Sequence, residues 1–239
     1  MALRFADEAQ DDPFASPSRL QRLGRIAREQ PSALLLFTQL FGLLVIPFLQ
    51  QTPYVRLAVS MFGAVVLAMA MWTIRSTPAL TWMAILIGVP ALALEVWGAI
   101  DPSQTLVVVT GHILLGIFYF YTAYGLVSYM FEDFWVTRDE LWAVGACFTV
   151  IAWGFAYFYM SIQQVLPGSF ASSSGNEILT FQEMLFVSIS SFTGVGLSDV
   201  VPVLPHAQSL VMLEQIMGVL YIAMVISRLV ALTVIKSRS

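Results

Sequence analysis

Between positions 193 and 199 the chain reads Thr193, Gly194, Val195, Gly196, Leu197, Ser198, Asp199, with an apolar amphipathic run before it and a long apolar stretch after it. These residue types suit one kind of chemistry. A cation stripped of its water needs a cage of oxygens, and backbone carbonyls supply one where the chain turns them inward. Glycine permits that turn because it accepts φ/ψ values that a Cβ closes off. Asp199 ends the run with a carboxylate that would draw cations to the mouth of such a cage. Cys147 is the single cysteine, the two histidines His112 and His206 stand far apart, and no nucleotide-binding glycine loop or nucleophile triad is present. An enzyme, a resident cofactor and a nucleic-acid partner are therefore not expected. The metal ions expected are permeant cations at the carbonyls of this run.

The elements that must hold such a loop follow from the composition. Of 239 residues 58% are hydrophobic and 11% charged, with a mean hydropathy of +0.80, a balance that soluble globular chains do not carry. Six stretches are apolar over roughly the 20 residues that a helix needs to cross ~30 Å of hydrocarbon. They are Ala33 to Leu49, Tyr54 to Ile74, Ala79 to Gly98, Thr105 to Tyr129, Leu141 to Ile162 and His206 to Val234. Backbone in hydrocarbon must satisfy its own hydrogen bonds, so these runs read as helices, and the alternating polar strands of a barrel are absent. The fold class expected is an all-α membrane protein with six transmembrane helices. The glycine-containing run lies between the fifth and the sixth. Ile178 to Phe192 before it has helical periodicity but is too short to span. That pattern predicts a re-entrant helix with the negative end of its dipole toward the centre, then an extended loop that Pro202 redirects into the last span.

Orientation follows from the eleven basic residues, because loops rich in Lys and Arg stay in the cytoplasm. Arg4, Arg19, Arg22, Arg25, Arg28, Arg75, Arg138, Arg228, Lys236 and Arg238 fall on one side, and Arg56 alone on the other. Both termini are expected in the cytoplasm, with the fifth-to-sixth loop opening outward and a bacterial inner membrane as the location. The first thirty residues are polar, so no signal peptide is expected. Residues 1–31 read as a cytoplasmic tail. Within it Arg19, Arg22, Arg25 and Arg28 recur every third position beside Leu20, Leu23 and Ile26, the pattern of an interfacial helix whose arginines meet anionic lipid headgroups. The tail is too short and polar to be a voltage sensor. Residues 32–131 form a four-helix unit whose fourth span holds no Lys or Arg, residues 132–140 a cytoplasmic linker, and residues 141–239 a pore module. Pro167, Gly168 and the Ser172 to Gly175 cluster predict a flexible turret between the fifth span and the short helix.

From Phe181 to Leu232 the chain resembles the pore of the tetrameric potassium channel superfamily, whose signature is Thr-Thr-Val-Gly-Tyr-Gly-Asp. Thr193, Val195, Gly196 and Asp199 match it, whereas Gly194 stands for the second threonine, Leu197 for the tyrosine and Ser198 for the second glycine. Pro202 matches the proline after the filter, and Gly218 stands where that family carries its inner-helix hinge glycine. The resemblance implies a homotetramer, since one chain holds one filter strand. It implies passive potassium permeation through the carbonyls of Gly194 to Ser198, with Gly218 as the gating hinge. The departures carry their own expectations. Gly194 removes a hydroxyl from the innermost ion site, and Leu197 removes a phenol that would bond behind the filter, where Phe186 offers only apolar contact. Ser198 is expected at a φ > 0 position, at about 1 kcal/mol of strain. A weakly selective sodium and potassium channel is the alternative within the class. A non-conducting membrane assembly subunit is the alternative outside it.

Glu95 and His112, both in the outer half of the four-helix unit, are expected to form a proton-sensitive pair or an inert hydrogen bond between the third and fourth spans. Glu214 is expected to brace the short helix through Ser188 or Ser191, and Arg228 to reach the cytoplasmic interface. Phe118, Tyr119, Phe120, Tyr121 and Tyr124 read as packing rather than a ligand cage, as does Cys147, and His206 as a solvated residue at the outer rim.

Overall fold

The structure is a computed structural model that describes residues 30–49, 62–63, 65–66, 68–69, 78–131, 138–173, 175 and 178–238. Its elements are α1 (Pro31–Leu49), α2 (Pro78–Ile100), α3 (Thr105–Met130), α4 (Arg138–Val165), β1 (Phe170–Ser172), α5 (Phe181–Phe192), β2 (Val200–Pro202) and α6 (Pro205–Arg238). Among the described residues, five helices are long and apolar enough to cross a membrane. They coincide with the first, third, fourth, fifth and sixth predicted spans. The second predicted span, Tyr54 to Ile74, lies outside the described residues except for six positions between 62 and 69, all helical. The tail with Arg19, Arg22, Arg25 and Arg28 also lies outside them, as do Arg56, Arg75, Glu132 and Asp133.

Helix α4 organises the molecule. It packs along α3, α1 and α5 and touches α6, and most of its side chains are buried. Aromatic rings fill the seams. Tyr119 stacks on Tyr157 with centroids 5.6 Å apart, and Phe120 meets Phe155 edge-on at 4.9 Å, an arrangement that ring quadrupoles favour. Phe118 and Tyr119 are fully buried, while Tyr124 faces outward. The aromatic run of α3 is therefore packing, as its sequence reads.

At the N-terminal end of α4 the ties are polar. The first N–H groups of a helix have no partner within it. Asp139 answers this for α1, accepting from the Ser32 backbone N–H at 3.1 Å and the Ser32 Oγ at 2.9 Å. Its carboxylate also lies in the first turn of α4, so it sits near two helix N-termini whose dipoles both favour negative charge. Next to it, Glu140 holds Arg228 of α6 at 3.0 Å, and the Arg228 guanidinium lies 4.8 Å from the centre of the Phe131 ring. Helix α4 begins at Arg138, so the last three residues of the expected linker belong to the helix. Asp139 and Glu140 in its first turn complement the dipole there. At the opposite end of the molecule, the turn from α2 to α3 is closed by Ser103. Its Oγ and N–H donate to Asp101 and hold that carboxyl below its ordinary range.

Candidate functional site

The Thr193 to Asp199 run connects α5 to β2, and each end is fixed by a different device. Helix α5 is 12 residues long, enough for about 18 Å of rise. It starts at Phe181 rather than at Ile178 because Thr180 and Glu183 form a capping box, the Thr180 side chain accepting from the Glu183 N–H and the Glu183 carboxylate from the Thr180 N–H. The spacing of a threonine three residues before a glutamate was a legible start signal. Gln163 of α4 holds the preceding residue. Its Nε2 donates to the Leu179 carbonyl at 2.9 Å, and its Oε1 accepts from the Leu179 N–H at 3.0 Å. That two-bond clamp matches backbone rather than a side chain, so sequence spacing gave no sign of it.

Further along α5, Ser188 points into a buried junction of three helices. Its Oγ lies 2.7 Å from the Ala152 carbonyl of α4 and also meets one carboxyl oxygen of Glu214 from α6. The other carboxyl oxygen accepts from the hydroxyl of Tyr159 on α4. Glu214 and Tyr159 are fully buried. The expected brace through Ser188 is present, and Tyr159 is the partner that sequence reasoning missed. A tyrosine in an aromatic-rich span carries no mark of which way its hydroxyl points.

The C-terminal end of α5 turns through Gly194. The Thr193 N–H reaches the Ile189 carbonyl at 3.0 Å, the Gly194 N–H the Ser191 carbonyl at 3.0 Å and the Gly196 N–H the Ser190 carbonyl at 3.1 Å. Gly194 has φ 72°, the left-handed conformation that ends helices after the C-cap. Thr193 turns its Oγ1 back onto the Ile189 and Ser190 carbonyls at 2.8 and 3.1 Å. Gly196 is left-handed as well, with φ 68°.

Two expectations change here. Ser198 is not left-handed: no residue other than glycine has positive φ among the described residues. It carries none of the strain expected of it, and its Oγ instead accepts from the Val200 N–H at 3.1 Å. Gly194, read as a replaced threonine, occupies a conformation that a threonine resists. We therefore expect Gly194→Thr, which restores the superfamily's residue, to destabilise the protein by about 1 kcal/mol or more. Thermal unfolding of the purified variant, monitored by tryptophan fluorescence, checks this. A melt equal to the parent's would refute the assignment.

The far end of the run is held by a two-stranded antiparallel sheet. Phe170 pairs with Pro202, Ala171 with Val201 and Ser172 with Val200. Part of the segment expected as a flexible turret is thus a strand. Asp199 is exposed and accepts from Ser173 Oγ at 3.1 Å and Ser172 Oγ at 3.4 Å. Between these anchors Val195 and Leu197 are 70% and 74% exposed. Phe186, expected behind the filter, is exposed too, and His206 lies exposed just past β2.

Gly218 lies where α6 crosses the end of α5. A Cβ built there would stand 2.0 Å from the Phe192 carbonyl oxygen and 2.8 Å from its carbon. The two backbones touch, which only glycine allows. Away from this region, His112 Nε2 stands 3.6 Å from Glu95 Oε2. Cys147 is buried and points its thiol at the Ala123 carbonyl. Among the described residues no group of His, Cys, Asp and Glu could hold a metal ion.

Long apolar helices around a short capped helix, with a glycine-turned loop exposed at its end, are the features of an integral membrane protein. The family comparison agrees: residues 145–234, from α4 into α6, match the family model described as "Ion channel". The match covers less than half of the chain, and over those residues the chain is similar to that family. No curated protein and no solved structure matches the chain.

Proposed function

We propose that four copies of this chain surround an axis and form a cation channel that conducts potassium passively, with α5 as the re-entrant pore helix and the carbonyls of Gly194 to Ser198 as the ion ligands. The observation that carries the reading is the loop itself. It alternates left-handed glycines with ordinary residues, is anchored at both ends within its own chain, and leaves Val195 and Leu197 uncovered. One chain supplies one wall of a cage, and an ion needs oxygens from all sides. The uncovered face continues along α6, where Leu213, Ile216 and Leu220 are each more than half exposed. Closed symmetric assembly is the common way to cover such a face, and the channel family is generally oligomeric.

Sidedness supports the same reading. The loop and β2 precede α6, whereas Arg228 and Glu140 meet at its other end, so a cytoplasmic Arg228 puts the loop outside. Both termini then lie in the cytoplasm of a bacterial inner membrane, with the four arginines of the tail against anionic lipid. Asp199 from four chains rings the outer mouth with negative charge. Gly218 is the bend point of opening, and Glu95 with His112 a proton-sensitive contact beside the pore.

One observation favours weak selectivity as a second reading. Leu197 brings no hydroxyl and is exposed, and Ser198 spends its own on a neighbouring N–H, so among the described residues neither side chain ties the loop to the helices behind it. Reversal potentials of the reconstituted protein in mixed sodium and potassium separate the readings. We expect a value near the potassium equilibrium potential. A value near zero establishes the weak filter, and no current from a confirmed tetramer overturns the channel reading. Leu197→Tyr combined with Ser198→Gly is expected to move the reversal potential further toward potassium.

A further inference from the structure

Helix α6 touches the rest of its chain along one narrow stripe. Ala207, Val211, Glu214, Gly218, Tyr221 and Val225 are buried at steps of four and three residues, and the positions between them are exposed or half-buried. On the C-terminal side of Gly218, two polar ties bind that stripe to the first two turns of α4. The Tyr221 hydroxyl donates to the Val144 carbonyl at 2.6 Å, and further along Arg228 meets Glu140 at 3.0 Å. An arginine near the end of a membrane helix ordinarily extends its long stem toward the lipid headgroups. This one turns back into the protein: its side chain is 12% exposed and that of Glu140 6%. The guanidinium also lies 4.8 Å from the centre of the Phe131 ring, within cation–π range, and Phe131 is the C-cap of α3. One charged group therefore joins three helices, α3 from the four-helix unit with α4 and α6 that follow it.

A buried ion pair adds little net stability over an apolar pair of the same size, but removing one partner leaves behind a charge that burial penalises. Such a pair is a weak glue and a strong selector of position. We propose that Arg228 is a clasp through which the four-helix unit sets where the C-terminal half of α6 stands. The force it works against is hydrophobic. Leu220 and Val230 lie outside the buried stripe and are 63% and 57% exposed. In the proposed tetramer, where the uncovered side of α6 faces the axis, four such surfaces gain by closing on one another. An apolar constriction of that kind empties of water and stops ions. With Arg228 held by Glu140 and Phe131, each α6 is drawn toward α4 and away from the axis; with the tie cut, the four converge. The clasp favours the conducting arrangement, and its effect on current rests on the channel reading.

The test uses the full chain in lipid bilayers, with two readouts. Single-channel recording gives the ratio of open to closed time. Hydrogen exchange read by mass spectrometry follows the backbone from Val219 to Val230 without reference to current. Glu140→Gln, nearly isosteric, removes the charge opposite Arg228. It is expected to lower the open-to-closed ratio by about tenfold or more and to raise exchange from Val219 to Val230 by a similar factor, with Phe181 to Phe192 unchanged. Arg228→Lys keeps the charge and the stem, and is expected to stay within about threefold of the parent. Phe131→Leu leaves the ion pair in place and cuts only the link to α3, for an expected loss of about threefold. Exchange that rises in α5 as well marks a general loss of fold in Glu140→Gln, and Phe131→Leu with Arg228→Lys then carries the test. An open-to-closed ratio that is unchanged or raised by Glu140→Gln, or exchange that stays at the parent's rate, overturns the clasp. No effect of Phe131→Leu overturns its link to the four-helix unit. A parent protein that passes no current removes the channel reading and leaves exchange to decide the clasp, so the two fail separately.

Discussion

Glu214→Ala is expected to destabilise the protein severely, whereas Glu214→Gln is expected to leave it nearly intact. The reason is a count of hydrogens at the three-helix junction. Ser188 has one hydroxyl proton and two acceptors within reach, the Ala152 carbonyl and Glu214, and the Tyr159 hydroxyl has one proton for the other carboxyl oxygen. An amide fits all three relations at once. Its Nε2 donates to Ser188 Oγ, its Oε1 accepts from Tyr159, and Ser188 is left to donate to Ala152. Alanine strands the buried Tyr159 hydroxyl, leaves Ser188 with the Ala152 carbonyl alone, and opens a void where the side chain was fully enclosed. The combined cost is about 3 kcal/mol or more, a large share of what holds any domain together. Size-exclusion chromatography, thermal unfolding and ion flux on the two variants side by side read the difference. Equal behaviour of the alanine variant and the parent would show that the junction does not hold α5 in place.

Gly218→Ala is the second large effect. The backbone of Phe192 is what the new methyl would strike, at 2.0 Å from its oxygen, and backbone has no rotamer to swing away. The helices must part, at a cost of about 3 kcal/mol on the scale of overpacked cores. The hinge role proposed for this glycine makes a different demand. If Gly218 served only as a bend point, alanine would alter the open fraction of the channel and leave its melting midpoint unchanged. A lowered midpoint establishes the close contact. An unchanged midpoint with altered gating refutes it. In the structure α6 runs unbroken from Pro205 to Arg238 across this point.

The membrane-spanning helices were readable because apolar length alone decides them, and five of the predicted spans agree with their helices to within a few residues. Local signals were readable too. The capping pair of Thr180 and Glu183 marks the start of α5, and a glycine in the right place marks its end. What escaped is non-local. The β1 and β2 strands have three residues each and pair across nearly thirty positions, so no periodicity announces them. The grip of Gln163 on Leu179 and of Tyr159 on Glu214 depends on how α4 rotates against its neighbours, which composition does not encode. The loop shows a third limit. Matching residue types to a family signature put the left-handed position at Ser198, but backbone hydrogen bonds from the end of α5 put it at Gly194 and Gly196. Identity of letters and identity of backbone state are separate properties.

The anchoring of the loop also bears on how this protein can evolve. Gly194 and Gly196 shape it, the strand pair fixes one end and the junction at Glu214 seats the helix at the other, while Leu197 lies exposed and Ser198 bonds only to a neighbouring N–H. In the proposed channel the anchors of the loop, the strand pair and the Glu214 junction, lie away from the ion ligands, and the side chains of Leu197 and Ser198 carry little of the fold. On the proposed reading, mutation retunes which ion passes by sampling positions 197 and 198 without first having to survive a folding defect. A lineage of channels built in the proposed way can drift in ion preference while its scaffold stays the same.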